Sequence, residues 1–171
     1  IDVDLQSNLR MFRVLQGDVG SGKTIVAMVS ALNTVEAGYQ CGLMAPTAIL
    51  AEQHYRLLNK LITNSGLDIK IKLLTGKTDV KNRKKILDEL QNREIDFLIG
   101  THALFQKTIL FNKLGLIIVD EQHKFGVQQR IKFAKKGGIN CDVLLMSATP
   151  IPRTMMMSIY GDMDTSKLEE K

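Results

Sequence analysis

The segment from Gly17 to Thr24, GDVGSGKT, has the residue types and spacing of a phosphate-binding loop. It fits the pattern G-x-x-x-x-G-K-[ST] and lies between a predicted strand, Phe12–Gln16, and a predicted helix. Glycines let successive backbone N–H groups turn toward phosphate oxygens, and the positive end of the following helix adds to that field. We expect Lys23 to reach the β- and γ-phosphates of a nucleotide and the Thr24 hydroxyl to hold Mg²⁺. The candidate nucleotide-binding residues are Gly17, Asp18, Val19, Gly20, Ser21, Gly22, Lys23 and Thr24.

A second group of chemically capable residues follows the apolar run in LGLIIVDEQH, Leu114–His123. The run predicts a buried strand that ends on Asp120 and Glu121, and ligands of open parallel sheets bind at that carboxyl edge. We expect Asp120 to coordinate Mg²⁺ together with Thr24, and Glu121 to orient or deprotonate the attacking water. An ordinary acidic turn is the alternative, and the neighbouring phosphate loop disfavours it. Lys23, Asp120 and Glu121 are therefore the candidate catalytic residues, with ATP and Mg²⁺ as the expected cofactors.

The elements that must position these residues follow from the hydrophobic pattern. Short apolar runs alternate with segments of helical period, which predicts an α/β fold with a parallel sheet covered on both faces. Predicted strands after the first are Cys41–Ala45, Ile69–Leu74, Phe97–Gly100, Leu116–Asp120 and Val143–Ser147. One predicted helix ends at Gly38, and a second begins at a Thr47 cap. A third spans Asp79–Asn92 with Asp79 as its cap, and a fourth spans Pro152–Tyr160. We expect residues 1–171 to form one domain, with residues 1–11 and 164–171 as peripheral or frayed ends.

Composition narrows the class of protein further. The 171 residues are 44% hydrophobic and 24% charged, which argues against disorder, collagen and coiled coil. There is no apolar run of about 18 residues, so we expect no membrane span. Cys41 and Cys141 lie in apolar runs and are expected to be reduced and buried, which favours a cytoplasmic location. Because the chain begins with Ile and shows no leader pattern, we expect a segment of a longer, unsecreted protein.

Other phosphate-loop proteins are a competing interpretation. GTPases read guanine with an Asn-Lys-x-Asp element, and neither Asn59-Lys60-Leu61 nor Asn112-Lys113-Leu114 carries the Asp. Small-molecule kinases do not need an acidic tetrad such as DEQH. Both alternatives are therefore disfavoured.

Several short motifs occur in a diagnostic order: GDVGSGKT, APT at Ala45–Thr47, GTH at Gly100–His102, DEQH at Asp120–His123 and SAT at Ser147–Thr149. They resemble motifs I, Ia, Ib, II and III of superfamily 2 helicases. The longer segments MAPTAILAEQH, GTHALFQ, DEQHKFGVQQR and MSATPIPRT are similar to the RecG family of bacterial branched-DNA helicases. The resemblance covers nearly the whole chain and implies the first RecA-like motor domain of such an enzyme.

The resemblance implies roles for further residues. His123 would sense the γ-phosphate, and Ser147 and Thr149 would couple hydrolysis to movement between motor domains. Thr47, Thr101 and Arg153 would contact the DNA backbone, although Thr47 is also a good helix cap. The implied partners are duplex or branched DNA and two parts of the same protein, a second RecA-like domain and a wedge domain. Without the arginine that the second domain supplies, we expect this chain alone to be nearly inactive.

Three alternatives remain open at the level of sequence. The chain could be the motor of a transcription-repair coupling translocase or of a primosomal helicase, which share this domain. It could also be a nucleotide-binding docking module in which hydrolysis is irrelevant.

The run from Lys70 to Lys85 holds seven basic residues and one acid, and a solvated helix face explains it better than contact with DNA phosphates. His54 matches no chemical pattern and is interpreted as packing or surface.

Overall fold

A computed structural model describes residues 1–7, 9–120, 141–149 and 164–168, and seven strands within these ranges form one parallel sheet. The strands are β1 (Phe12–Gly17), β2 (Gln40–Met44), β3 (Ile71–Leu74), β4 (Phe97–Gly100), β5 (Leu114–Val119), β6 (Asp142–Ser147) and β7 (Asp164–Leu168). Their order across the sheet is β3-β4-β2-β5-β6-β1-β7, and each neighbouring pair is parallel. The predicted α/β class is confirmed. The predicted helix over Pro152–Tyr160 lies outside the described residues.

Helices return the chain from the end of one strand to the start of another, as parallel pairing requires. The connecting elements are α2 (Lys23–Glu36), α3 (Ala48–Ser65), α4 (Val80–Gln91) and a 3₁₀ turn at His102–Phe105, and a short helix α1 (Asp2–Leu5) precedes β1. On one face of the sheet, Ala27 of α2 and Leu58 of α3 pack with strand residues such as Leu43. On the other face, Leu90 of α4 packs in a second cluster with Met44. Adjacent strand residues therefore enter opposite cores, and the central strands are apolar on both sides.

Local capping explains where these helices begin and end. The Thr47 hydroxyl accepts a hydrogen bond from Leu50 N at 3.2 Å, and Asp79 Oδ1 accepts one from Asn82 N at 2.9 Å. Both contacts satisfy N–H groups that the first helical turn leaves unpaired. Gly38, with φ of 80°, follows the end of α2, because a left-handed backbone stops a helix. The predicted caps at Thr47 and Asp79 and the stop at Gly38 are confirmed.

Asp164–Leu168, expected to be peripheral or frayed, form the edge strand β7 at the periphery of the sheet. Its residues pair with Arg13–Gly17 of β1, and the Arg13 guanidinium donates to Ser166 Oγ at 2.8 Å and contacts Asp164 at 3.2 Å. An edge strand is paired on one side only, so polar residues are tolerated there and the sequence carries little strand signal. Near the first residue of the chain, Asp4 forms an ion pair of 2.9 Å with the same Arg13 side chain.

The two cysteines are free thiols, and each is 0% exposed. Burial raises the pKa of the Cys141 thiol to about 12, and it raises that of Cys41 further. The expectation of reduced, buried cysteines is confirmed. Among the described helices, none has the length and apolar character needed to cross a bilayer.

Candidate nucleotide-binding site

The candidate functional residues that the structure describes lie along the carboxyl edge of the sheet, because each lies at or just after the end of a parallel strand. Reading across the edge, Thr101 follows β4, Thr47 follows β2, Asp120 follows β5, Ser147 ends β6 and the Gly17–Thr24 loop follows β1. Thr47 and Thr101, predicted to contact DNA, therefore lie on one half of this edge, and Asp120 and the phosphate loop lie on the adjoining half. Open α/β sheets bind their ligands at this edge.

The loop between β1 and α2 has the backbone that its glycines predict. Gly20 and Gly22 have φ of 91° and 89°, values that favour glycine over residues with a Cβ. Gly22 is the N-cap residue of α2 and has no side chain to engage the N–H groups of the first turn. The helix dipole of α2 therefore favours an anion at the mouth of the loop.

Lys23 folds over the loop that precedes it. Its ammonium donates to the backbone carbonyls of Gly17 and Asp18, both at 2.6 Å. These contacts hold the charge within the curve of the loop instead of in open solvent. A cation in that position sits beside the N–H groups that would contact phosphate oxygens.

The base of the loop is closely packed around Gly17. A Cβ on Gly17 would lie 2.5 Å from Ser21 Oγ and 3.1 Å from the Leu168 side chain. Within the described part of the chain, the buried Ser21 hydroxyl has no hydrogen-bond partner. A buried hydroxyl without a partner is costly, and an anionic oxygen in the loop would satisfy it. The residues present therefore fit a bound phosphate chain.

Asp120 reaches the same edge by continuing β5. Its backbone N–H donates to Met44 O of β2 at 2.9 Å, and its side chain is 14% exposed. The strand registers pair Val119 with Leu145 and Leu15 with Met146, so Asp120 stands level with Leu15, two residues before the end of β1. Only β6 separates the two strands, which puts the Asp120 backbone about 10 Å across the sheet from Leu15, two residues before the phosphate loop begins.

Ser147 ends the intervening strand β6 and is 1% exposed. Its hydroxyl donates to Thr149 O at 2.9 Å, and Thr149 N donates back to Ser147 Oγ at 3.3 Å. The two predicted coupling residues thus form a compact turn between the loop and Asp120.

The predicted DNA-contact residues differ in accessibility. Thr47 is exposed and uses its hydroxyl to cap α3, whereas Thr101 is 4% exposed. A backbone phosphate needs an exposed donor, so this geometry favours Thr47 over Thr101. Glu121, His123 and Arg153 lie outside the described residues, and their roles stay predictions.

One residue at the site was missed by the sequence analysis. His54 Nε2 donates to Asp120 Oδ2 at 2.7 Å, across 66 positions of sequence. The available signal was its place on a helical stripe with Ala51, Leu58 and Ile62, where the period calls for an apolar residue. A polar ring at such a position needs a buried partner.

The parallel sheet, the glycine-rich loop that opens a helix and the facing carboxylate define a phosphate-loop nucleotide-binding domain. Comparison with known sequences identifies the family: the DEAD/DEAH box helicase profile matches residues 6–158. The chain belongs to the DEAD/DEAH box helicase family.

Comparison with individual proteins shows similarity to one type of helicase within this family. The chain is 51% identical over 167 residues to the ATP-dependent DNA helicase RecG of Staphylococcus aureus (strain MRSA252), covering 98% of this chain and 24% of that protein. It is equally similar, at 51%, to RecG of Staphylococcus epidermidis (strain RP62A), with the same two coverages. The chain thus spans about a quarter of the length of these relatives.

Solved structures confirm the RecA-like fold. A structure of RecG bound to a three-way DNA junction superposes with a TM-score of 0.83 at 45% identity, covering 99% of this chain and 22% of that one. A DEAD box protein from Methanococcus jannaschii superposes with a TM-score of 0.74 at 21% identity, over 97% of this chain and 49% of that one.

Proposed function

We propose that this chain is the ATP-binding motor domain of a RecG-type DNA helicase, which couples ATP hydrolysis to the remodelling of branched DNA. The observation that carries the proposal is the pairing of a lysine-bearing phosphate loop after β1 with Asp120 after β5, across a single strand. The similarity to RecG over 98% of the chain supports the choice of DNA as substrate. We place the whole protein in the bacterial cytoplasm, where its DNA substrate lies.

In this proposal the loop N–H groups and the Ser21 hydroxyl bind the phosphate chain, and Lys23 stabilises the charge that develops on the γ-phosphoryl group. Thr24 and Asp120 would hold Mg²⁺, which supplies positive charge beside the phosphates when bound. Glu121 would position the attacking water. Each of these side chains follows the end of β1 or β5, so the main chain presets their spacing.

DNA would bind along the adjoining half of the edge, with Thr47 contacting the phosphate backbone and Thr101 and Arg153 as further candidates. His123 and the Ser147–Thr149 turn would transmit the state of the γ-phosphate to that half. The second RecA-like domain and the wedge domain of the whole protein would complete the hydrolytic site and confer the preference for branched DNA.

ATP hydrolysis by the whole protein, measured with a three-way junction, a linear duplex and a single strand, tests this function. We expect the junction to stimulate hydrolysis most and Lys23→Ala to reduce it by at least about 100-fold, because a preorganised cation is lost. Lys60→Ala is the matched control, since Lys60 is an exposed lysine on α3. Equal activity of the Lys23 and Lys60 variants would contradict the proposal.

The same assay separates the alternatives. Stimulation by duplex but not by junctions would favour a transcription-repair coupling translocase, and stimulation by single strands a primosomal helicase. If Glu121→Gln abolished hydrolysis yet left DNA remodelling intact, the domain would be a docking module that needs only bound nucleotide.

A further inference from the structure

His54 joins α3 to the acidic end of β5 through a short hydrogen bond. The bond of 2.7 Å links His54 Nε2 with Asp120 Oδ2, and the two side chains are 9% and 14% exposed. An ionised carboxylate only accepts hydrogen bonds, so the ring nitrogen is the donor. A donor–acceptor pair shielded from water in this way is stronger and better oriented than one on the surface.

The packing of α3 fixes the position of the His54 ring. Ala51, Leu58 and Ile62 share its helical stripe and are buried in the core cluster between α3 and the sheet. The cap at Thr47 also sets where the helix begins, two turns before His54. The ring therefore approaches Asp120 from a rigid element, and the carboxylate loses much of its freedom to rotate.

We propose that His54 is a positioning residue that holds the Asp120 carboxylate in the orientation required to bind the Mg²⁺ of the nucleotide. This inference rests on the proposed function, because it assigns His54 a task only if Asp120 serves a metal ion. A carboxylate has two oxygens and about four lone-pair sites, so it can accept the His54 bond and still ligate a cation. Hydrogen bonds to a metal-ligating carboxylate orient it in many metal sites.

The placement of α3 gives the contact a second consequence. Thr47, the favoured DNA-contact candidate, caps the helix that carries His54, whereas Asp120 belongs to the nucleotide half of the edge. The His54–Asp120 bond is thus a direct link between these two halves. Any shift of α3 along its axis would alter the orientation of Asp120.

Two variants separate the hydrogen bond from packing. His54→Phe keeps a ring of similar size and removes the donor, whereas His54→Gln keeps an N–H donor at a similar reach. Asn59→Ala, an exposed substitution on the same helix, is the control. Each protein is titrated with a fluorescent ADP analogue, once with Mg²⁺ and once with EDTA, and the ratio of the two affinities measures the contribution of the metal ion.

We expect His54→Phe to reduce the Mg²⁺-dependent gain in affinity by about 10–100-fold, the range typical of residues that orient metal ligands. Affinity in EDTA should stay unchanged, because the loop still binds phosphate. His54→Gln should recover most of the gain, and Asn59→Ala should match the wild type. A role in packing alone would instead lower both affinities together, or neither.

A measurement on the unaltered protein covers the case in which the variants fail to fold. The ¹H–¹⁵N signal of the His54 Nε2–H group should shift when Mg²⁺ is added to the ADP complex, and nucleotide in EDTA should leave it in place. Unchanged Mg²⁺ dependence in His54→Phe, or an Nε2–H signal insensitive to Mg²⁺, would overturn the positioning role. Failure of the unaltered protein to bind any nucleotide would instead overturn the proposed function.

Discussion

At the scale of single residues, the phosphate loop needs Gly22 for its backbone conformation and not to avoid a steric clash. Gly22 has φ of 89°, and a Cβ built there meets no atom within 4 Å. The cost of a larger residue would therefore come from backbone strain alone. This makes Gly22 a clean site for measuring how much the loop conformation contributes to binding.

We predict that Gly22→Ala destabilises the folded protein by about 1–2 kcal/mol, the cost of a left-handed conformation for an L-residue. Nucleotide affinity should fall as well, because the loop relaxes away from the conformation that directs its N–H groups at phosphate. Urea unfolding and nucleotide titration are the measurements. Gly76→Ala is the matched control: a Cβ there is also in open space, Gly76 lies outside the left-handed region, and its effect on stability should be neutral or slightly favourable. Similar losses in both variants would show that the conformation of Gly22 is not what matters.

Which residues sequence reasoning can place depends on the range of their interactions. The caps at Thr47 and Asp79 bond to N–H groups three positions away, so local residue types suffice to predict them. The loop and Asp120 are predictable because the ends of parallel strands share an edge. The partner of His54 lies 66 positions away and depends on how α3 packs, which no local pattern specifies.

At the scale of elements, some strands are clearly indicated by the sequence and others only weakly. The central strands are buried on both faces and stand out as apolar runs, whereas β7 is a polar edge strand held by Arg13. The part of the basic run that lies on α4 is a similar case, because charge alone does not distinguish a solvated surface from a DNA contact. The contacts that the α4 side chains make with neighbouring residues distinguish these two cases.

The surface of α4 mixes both signs of charge. Lys85 lies 3.7 Å from Glu89, which Lys72 also approaches at 3.9 Å, and Arg83 donates to Gln106. We predict that replacing its four basic residues by alanine leaves DNA affinity in low salt within about twofold of the unaltered protein. The residues replaced are Lys81, Arg83, Lys84 and Lys85.

Binding of a three-way junction measured over a range of salt concentrations checks this expectation. Each phosphate contact that is lost would reduce the slope of log K against log salt by about 0.9. A slope unchanged within error supports a solvated face, whereas a slope smaller by one contact or more would move α4 into the DNA-binding surface. Alanine is a strong helix former, so the helix itself should persist in the variant.

At the scale of the whole molecule, the two thiols report on whether both sides of the sheet open together. Cys41 lies in the core cluster with α2 and α3, and Cys141 lies in the cluster on the opposite face with α4. Both are fully buried, and burial raises the pKa of Cys141 to about 12. Thiol reagents need an exposed thiolate, so neither cysteine should react until the domain opens.

We predict that both cysteines are labelled at the same slow rate in native buffer, because one sheet connects the two cores and opens as a unit. Mass spectrometry of labelled peptides gives the two rates separately. Gly100→Ala supplies the perturbation: a Cβ there would overlap the Leu74 carbonyl oxygen of the neighbouring strand, and a backbone atom cannot move aside cheaply. The variant should accelerate both labelling rates by the same factor, while Gly76→Ala leaves them unchanged. If Gly100→Ala exposed Cys141 but left Cys41 protected, the two cores would open independently and the domain would not be one cooperative unit.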